Sequence, residues 1–308
     1  MNNATSSPKI GLALGSGASR VWAHIGVIRA LLAEGVEPHV VCGTSVGAII
    51  GGSYVAGNMG RLEDWDLGST RSDVLKFFDI KRTQAGIGAT ARLDWVLPSF
   101  VATEDQCIED LPKTFAAVST DLDSGREVWF TQGGLADAVR ASMAMPGLFP
   151  AVHVNQRWLV DGGLVNPVPV SVCHALGADI VIAVNLNVGI VGKRKNESQE
   201  TPPQADNGIL GNIKQQAREY SNSIFPNRDE SDEAPGLFQA IANSINIFQD
   251  RITRSRLAGD PADVLLSPRV SQIGMLEFHR AAEAIEEGER CAQRALADIE
   301  YLTGKWRP

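Results

Sequence analysis

Cysteine is scarce in this 308-residue chain, and its four cysteines stand far apart, at Cys42, Cys107, Cys173 and Cys291. No two of them have the C-x-x-C spacing of a zinc site, and they do not form the dense framework that staples small secreted domains. We therefore predict no metal, no cofactor and no disulfide, and we take a reducing compartment as the default.

Basic residues are in a minority. The chain has 28 Lys and Arg against 36 Asp and Glu, which gives a formal net charge of −8. A surface that binds nucleic acid needs concentrated positive charge, so we expect no nucleic-acid partner. The first residues, MNNATSSPKIG, lack the basic and then apolar pattern of a secretory leader. These features favour a cytoplasmic location.

Charged residues are absent from positions 40–60, a run about as long as a membrane span, with glycines at Gly43, Gly47 and Gly51. This G-x-x-x-G spacing can pack membrane helices. Six glycines in the run, together with Ser45 and Ser53, nevertheless make a poor lipid-facing surface. A buried strand followed by a closely packed helix explains the same composition, so we predict no transmembrane segment.

Strand and helix patterns alternate from the start of the chain: strands over 9–14 and 36–42, helices over 20–34 and 46–56. This alternation predicts an α/β fold with a mainly parallel central sheet and helices on both faces. The rhythm then predicts strands over 114–119, 127–130, 158–160, 179–186 and 262–266, and helices over 135–143, 168–176 and 278–299. One further helix is predicted from the shared stripe of Ile241, Ile245, Phe248 and Ile252.

A polar excursion at about 193–235 interrupts this pattern, with sequences such as KRKNESQETPPQADNG and PNRDESDEAP. Its composition predicts a mobile segment with a short helix near 213–220. We expect it to interrupt a single domain over 8–308. The segment is either a solvated linker, which its composition favours, or it makes transient contact with a membrane surface or docks near the cleft through its few apolar residues: Ile209, Leu210, Ile213, Ile224 and Phe225.

The sharpest motif is Gly43-Thr44-Ser45-Val46-Gly47, a G-x-S-x-G directly after a predicted strand and before a predicted helix. This setting is that of a nucleophile elbow, in which small residues allow the tight turn that exposes a serine hydroxyl. The helix N-terminus beneath it favours developing negative charge.

A second loop of small residues, Gly15-Ser16-Gly17-Ala18, follows the first strand. Its backbone N–H groups can converge on an anion, as an oxyanion hole requires. A dinucleotide-binding loop is the competing interpretation. Arg20 stands where that fingerprint has its third glycine, and no acidic residue for a ribose ends the second strand.

Asp161-Gly162-Gly163 ends a predicted strand, so Asp161 is a candidate general base; an ordinary Asp-Gly turn is the alternative. A Ser-Asp-His triad would need His174 or His279 after Asp161. Both histidines fall inside predicted helices, which disfavours the triad.

Several stretches together resemble the bacterial patatin-like phospholipases, in their small cytoplasmic branch. They are KIGLALGSGASRVWAHIGVIRAL, GTSVG, RASMAMPGLFP, the DGG at Asp161 and NPVPVSVCHALGADIVIAVNL, with weaker matches in RLAGDPADVLLSP and LEFHRA. The resemblance implies a three-layer patatin-like fold and hydrolysis of a lipid or other acyl ester through an acyl-serine. It implies a dyad of Ser45 as nucleophile and Asp161 as proton acceptor, without histidine. It also implies an oxyanion hole from Gly15, Ser16, Gly17, Ala18 and the N–H of Val46.

Two features depart from the family pattern. Ser16, Ala18 and Ser19 make the loop poorer in glycine than the loop of the family usually is. Val21 stands where the glycine loop of the family ends in glycine, and valine would be costly there if a positive φ were needed. Two alternatives therefore stay open: a lipid-binding or regulatory protein of low activity, and an acyltransferase that passes the acyl group to an acceptor other than water.

Overall fold

A computed structural model of the chain describes residues 7–62, 80–83, 86–89, 97–102, 105–191, 237–275 and 277–304. Its ten strands are β1 (Ile10–Leu14), β2 (Val40–Thr44), β3 (Ile80–Thr83), β4 (Gly86–Ala89), β5 (Thr114–Asp121), β6 (Glu127–Phe130), β7 (Val152–Val154), β8 (Arg157–Asp161), β9 (Ile180–Val184) and β10 (Val264–Leu266). Among the described residues, the α-helices are α1 (Ala23–Ala33), α2 (Val46–Val55), α3 (Leu135–Ser142), α4 (Val170–Ala175), α5 (Leu237–Gly259), α6 (Ala281–Arg294) and α7 (Leu296–Leu302).

Eight strands form the central sheet, in the order β10-β9-β1-β2-β5-β8-β7, with β6 also paired to β5. The five strands from β10 to β5 pair in parallel, and β6, β7 and β8 join antiparallel. The predicted mainly parallel α/β sheet is thus confirmed. Among the described residues, β3 and β4 form a separate two-stranded antiparallel sheet.

Both faces of the middle of the sheet are covered, which explains why β1, β2 and β9 are buried along their whole length. Leu12 and Leu14 of β1 pack into the cluster that includes α1, α2 and α6, and the intervening Ala13 packs on the opposite side with Val172 and Cys173 of α4. All five side chains are fully buried.

Several element boundaries differ from the prediction. Gly35, at φ 66, ends α1, and the N–H of Val36 bonds back to Leu31, so β2 starts at Val40 and not at 36. A hairpin of β7 and β8 was not predicted, because its turn places Asn155 and Gln156 at positive φ without the usual glycine. The predicted helix over 278–299 divides at Ala295, between α6 and α7.

The predicted excursion at 193–235, with its short helix, lies outside the described residues. After this excursion the chain returns to the same sheet, since Val264 of β10 pairs with Ile182 of β9.

Candidate active site

The sheet places the small-residue loop and the serine turn side by side. β1 and β2 are parallel neighbours, with Leu14 opposite Gly43, so the residues that follow each strand leave from the same edge. This is the edge at which parallel α/β sheets commonly bind ligands. Ser16 and Ser45 accordingly line one pocket.

Ser45 occupies a strained turn between β2 and α2, with φ 57 and ψ −129. Such a conformation in a non-glycine residue costs on the order of 1–3 kcal/mol and persists where neighbours hold it in place. Here the N–H of Ser45 donates to Oγ of Ser142 at 2.9 Å, and the Ser142 hydroxyl donates to the carbonyl oxygen of Val118 at 2.5 Å. The geometry is that of the predicted elbow.

The glycines on either side of Ser45 are required by close approach. A Cβ on Gly43 would stand 2.5 Å from Cα of Ala48, and a Cβ on Gly47 would overlap the carbonyl oxygens of Leu14 and Gly15. A side chain at Gly43 would push α2 away from β2, and a side chain at Gly47 would push the elbow away from the end of β1.

Asp161 comes next to Ser45 because β2 and β8 share one edge of β5. Thr44, the last residue of β2, pairs with Val118 of β5. Asp161, the last residue of β8, pairs with the next residue of β5, Ser119. β6 overlaps both pairings along β5, so it must occupy the other edge. Asp161 therefore lies next to the end of β2, where Ser45 follows in the chain.

The two side chains are hydrogen-bonded. Oγ of Ser45 donates to Oδ2 of Asp161 at 2.5 Å, and the N–H of Gly163 donates to Oδ1 at 2.7 Å. Asp161 is fully buried and Ser45 is 5% exposed. Burial raises the pKa of Asp161 to about 7, against the lowering effect of the Ser45 and Gly163 bonds. Gly162 touches β5, where a Cβ would overlap the carbonyl oxygen of Val118.

The loop after β1 offers fewer N–H donors than predicted. The N–H groups of Gly15 and Ser16 donate to the carbonyl oxygens of Val184 and Pro167, at 3.0 and 2.8 Å. This corrects the prediction for Gly15 and Ser16: their amides hold the loop to the sheet and are not available to a substrate.

The remaining predicted donors are Gly17, Ala18 and Val46, whose N–H groups meet no acceptor among the described residues. Backbone strain in this loop falls on Ala18, at φ 50, and Val21 is not among the described residues with positive φ. Val21 belongs to a 3-10 turn, Ala18–Trp22, and is buried, so valine there carries no conformational cost.

No described histidine hydrogen-bonds to Ser45 or Asp161. His174 lies 3.9 Å from Asp260, and His279 belongs to the 3-10 turn Phe278–Arg280, so neither completes a triad. His24 is fully buried in α1, where burial lowers its pKa to about 4 and its neutral ring donates from Nε2 to the carbonyl oxygen of Gly15 at 2.8 Å. It supports the loop after β1.

An apolar pocket opens over Ser45. Its lining is mostly hydrophobic, with contributions from Val21, Trp22, Ile49, Leu62, Met143 and Phe149. A polar corner interrupts it, formed by Ser16, Arg20, Asn246 and Gln249. Arg20 is buried, donates from Nη2 to Oδ1 of Asn187 at 3.2 Å, and has its pKa lowered to about 10 by burial. An acyl chain suits such a lining better than a polar cofactor does.

Several residues of the site were not predicted from the sequence. Ser142 ends α3 and lies in the stretch RASMAMPGLFP, where nothing in the sequence marks it as the hydrogen-bond partner of Ser45. α5 was predicted, and Ile245 of its predicted apolar stripe is buried, but Phe248 is 57% exposed, whereas Gln249 and Thr253 are buried. The buried face of α5 mixes apolar and polar residues, so apolar spacing alone does not predict that Gln249 and Thr253 are buried.

Comparison with known proteins decides the family. The model of the patatin-like phospholipase family matches residues 12–174, more than half of the chain, and this match includes the loop after β1, the Ser45 elbow and Asp161-Gly162-Gly163. The chain belongs to the patatin-like phospholipase family. As a member of it, the protein is a lipid ester hydrolase.

Relatives of the patatin-like chain include an NTE family protein of Mycobacterium tuberculosis, 32% identical over 96% of this chain and 93% of that protein. The lysophospholipase nte1 of Emericella nidulans is 28% identical over 91% of this chain but only 17% of its own length. The crystal structure of VipD from Legionella pneumophila aligns over 97% of this chain and 78% of that one, at 14% identity and a TM-score of 0.39.

None of the helices in the described part of the chain is both long enough and apolar enough to cross a bilayer.

Proposed function

We propose that this patatin-like protein hydrolyses lipid esters through an acyl-Ser45 intermediate, with Asp161 as the proton acceptor. The observation that carries the proposal is the bond from the hydroxyl of Ser45, which lines the apolar pocket, to the fully buried Asp161 carboxylate. A base whose pKa is near the working pH is largely deprotonated and is still basic enough to accept a proton.

In acylation, Ser45 Oγ attacks the ester carbonyl carbon and its proton passes to Asp161 Oδ2. The N–H groups of Gly17, Ala18 and Val46 stabilise the negative charge that develops on the carbonyl oxygen. Removing one such donor typically costs about 10²–10³ in kcat. Asp161 then gives the proton to the leaving alcohol oxygen, which departs and leaves Ser45 acylated.

In deacylation, Asp161 takes a proton from a water molecule as the water oxygen attacks the acyl carbonyl. Collapse of the second tetrahedral intermediate returns the proton to Ser45 Oγ and releases the carboxylic acid. Each step uses one carboxylate, alternately as base and as acid.

For the substrate, we infer a single-chain lipid ester of the lysophospholipid class. The pocket over Ser45 supports this inference because its lining is mostly hydrophobic and suits an acyl chain. The name of the fungal relative, lysophospholipase, supports it independently.

The test is hydrolysis of a lysophospholipid and of a 4-nitrophenyl ester with the same acyl chain, by the wild type and by Ser45→Ala. We expect Ser45→Ala to abolish turnover of both and to prevent labelling by a fluorophosphonate. Full activity of a folded Ser45→Ala protein would refute the mechanism. Detection of a transferred acyl group, with no free fatty acid, would identify an acyltransferase.

A further inference from the structure

Gln249 lies on the inward face of α5, in the polar corner of the pocket, and is 3% exposed. Its Oε1 receives two hydrogen bonds, from Oγ of Ser16 at 3.1 Å and from Nδ2 of Asn187 at 3.2 Å. Because an amide oxygen accepts and an amide nitrogen only donates, these bonds fix which way the side chain faces. Nε2 must point away from Ser16 and Asn187.

The Nε2 group has no acceptor among the described residues, although it is buried. An unpaired buried donor typically costs about 1–3 kcal/mol, so a polar partner in the pocket is expected. Nε2 borders Gly163: a Cβ built there would overlap Nε2 and stand 2.9 Å from Oδ1 of Asp161. The free donor therefore lies beside the proposed proton acceptor.

Asn246 stands one helical turn earlier on α5 and lines the same pocket. Its Oδ1 is also buried without a hydrogen-bond donor among the described residues. One face of α5 thus presents a free donor and a free acceptor about one turn apart. A group that both accepts and donates a hydrogen bond satisfies both, and a hydroxyl is the simplest such group on a lipid.

The helix that carries this pair is anchored away from the pocket. Nη2 of Arg256 donates to Oε2 of Glu127 at 2.7 Å, which fastens the second half of α5 to β6. Asn246 and Gln249 both lie outside the residues that match the family model, which end at 174.

We propose that Gln249 and Asn246 bind a free hydroxyl on the alcohol part of the ester substrate. The alcohol oxygen must pass beside Asp161 to receive its proton, and a hydroxyl one carbon away from it would reach Nε2 of Gln249. The pair would then favour esters of a polyol with an unesterified neighbour over esters that lack it. This inference rests on the function proposed above.

The experiment compares kcat/KM for two lipids with the same acyl chain and headgroup: a 1-acyl lysophosphatidylcholine and its analogue without the 2-hydroxyl. We expect the wild type to favour the hydroxylated lipid by about tenfold, because the analogue leaves the side chains of Gln249 and Asn246 without a hydrogen-bond partner. Gln249→Met and Asn246→Leu should each move this ratio toward one. Ser244→Ala, on the exposed side of the same helix, is the matched control and should keep the wild-type ratio.

A wild-type ratio near one, or an unchanged ratio in both variants, would overturn the proposal. Equal loss on both lipids would indicate a merely structural role and would also overturn it. If Gln249→Met does not fold, as judged by its thermal melt, Asn246→Leu decides the question. Failure of the proposed function is read separately, as hydrolysis of either lipid that survives Ser45→Ala.

Discussion

The pH dependence of ester hydrolysis follows from the burial of Asp161. With its pKa raised to about 7, this carboxylate is protonated at lower pH and cannot accept the Ser45 proton. We therefore expect kcat/KM to be constant above about pH 8 and to fall about tenfold per pH unit below 7, roughly a hundredfold at pH 5. An aspartate at its ordinary pKa of 3.8 would keep full activity at pH 5.

The assay is hydrolysis of a soluble 4-nitrophenyl ester between pH 5 and 9, with the Ser45→Ala rate subtracted at each pH. Circular dichroism across the same range checks that the fold persists. His24 does not cause the fall in kcat/KM below pH 7, because burial lowers its pKa to about 4. A profile that stays flat down to pH 5 would refute the argument that desolvated Asp161 is the base.

The same shift has a consequence for stability. A carboxyl group whose pKa is raised by folding favours the folded state below pH 3.8, and this contribution is lost as pH rises to about 7. The pKa of Asp161 differs by about three units between the unfolded and folded states, so the folded state loses about 4 kcal/mol of stability between low pH and pH 8. Asp161→Asn carries no charge to bury and should melt no lower than the wild type at pH 8.

Two further predictions concern the residues around the elbow. Ser142→Ala leaves the Ser45 N–H without its acceptor, so we expect a loss of about 1–3 kcal/mol in stability and a fall in kcat with little change in KM; an unchanged kcat would show that Ser142 does not hold the elbow. Ala18→Val puts a β-branched residue at φ 50, which should lower kcat, whereas Val21→Gly should lower the melting temperature without raising activity, because Val21 is packed and unstrained. A gain in activity for Val21→Gly would contradict the assignment of the strain to Ala18.

Local patterns predicted the elbow and the parallel sheet well. The G-x-S-x-G motif and the strand before it are contiguous, so one short stretch contains both the turn and the need for small residues at Gly43 and Gly47. The alternation of apolar strands and helices is equally local, and it predicted β1, α1, β2 and α2 with boundary errors of a few residues.

What could not be predicted depends on contacts between distant parts of the chain. The bonds that occupy the Gly15 and Ser16 amides come from Val184 and Pro167, far along the sequence. The burial of the polar side chain of Gln249 on α5 depends on its hydrogen bond with Ser16, more than 200 residues earlier in the chain. The near-neutral pKa of Asp161 likewise arises from burial, which no motif records.

The most direct test of the dyad is the rate at which a fluorophosphonate labels Ser45 at pH 8 in Asp161→Asn, His174→Ala and His279→Ala, with a thermal melt of each. We predict that folded Asp161→Asn labels at least about a hundredfold more slowly than the wild type, because its amide cannot take the Ser45 proton. Both histidine variants should label at the wild-type rate. Wild-type labelling of Asp161→Asn, or lost labelling in a folded histidine variant, would contradict the account.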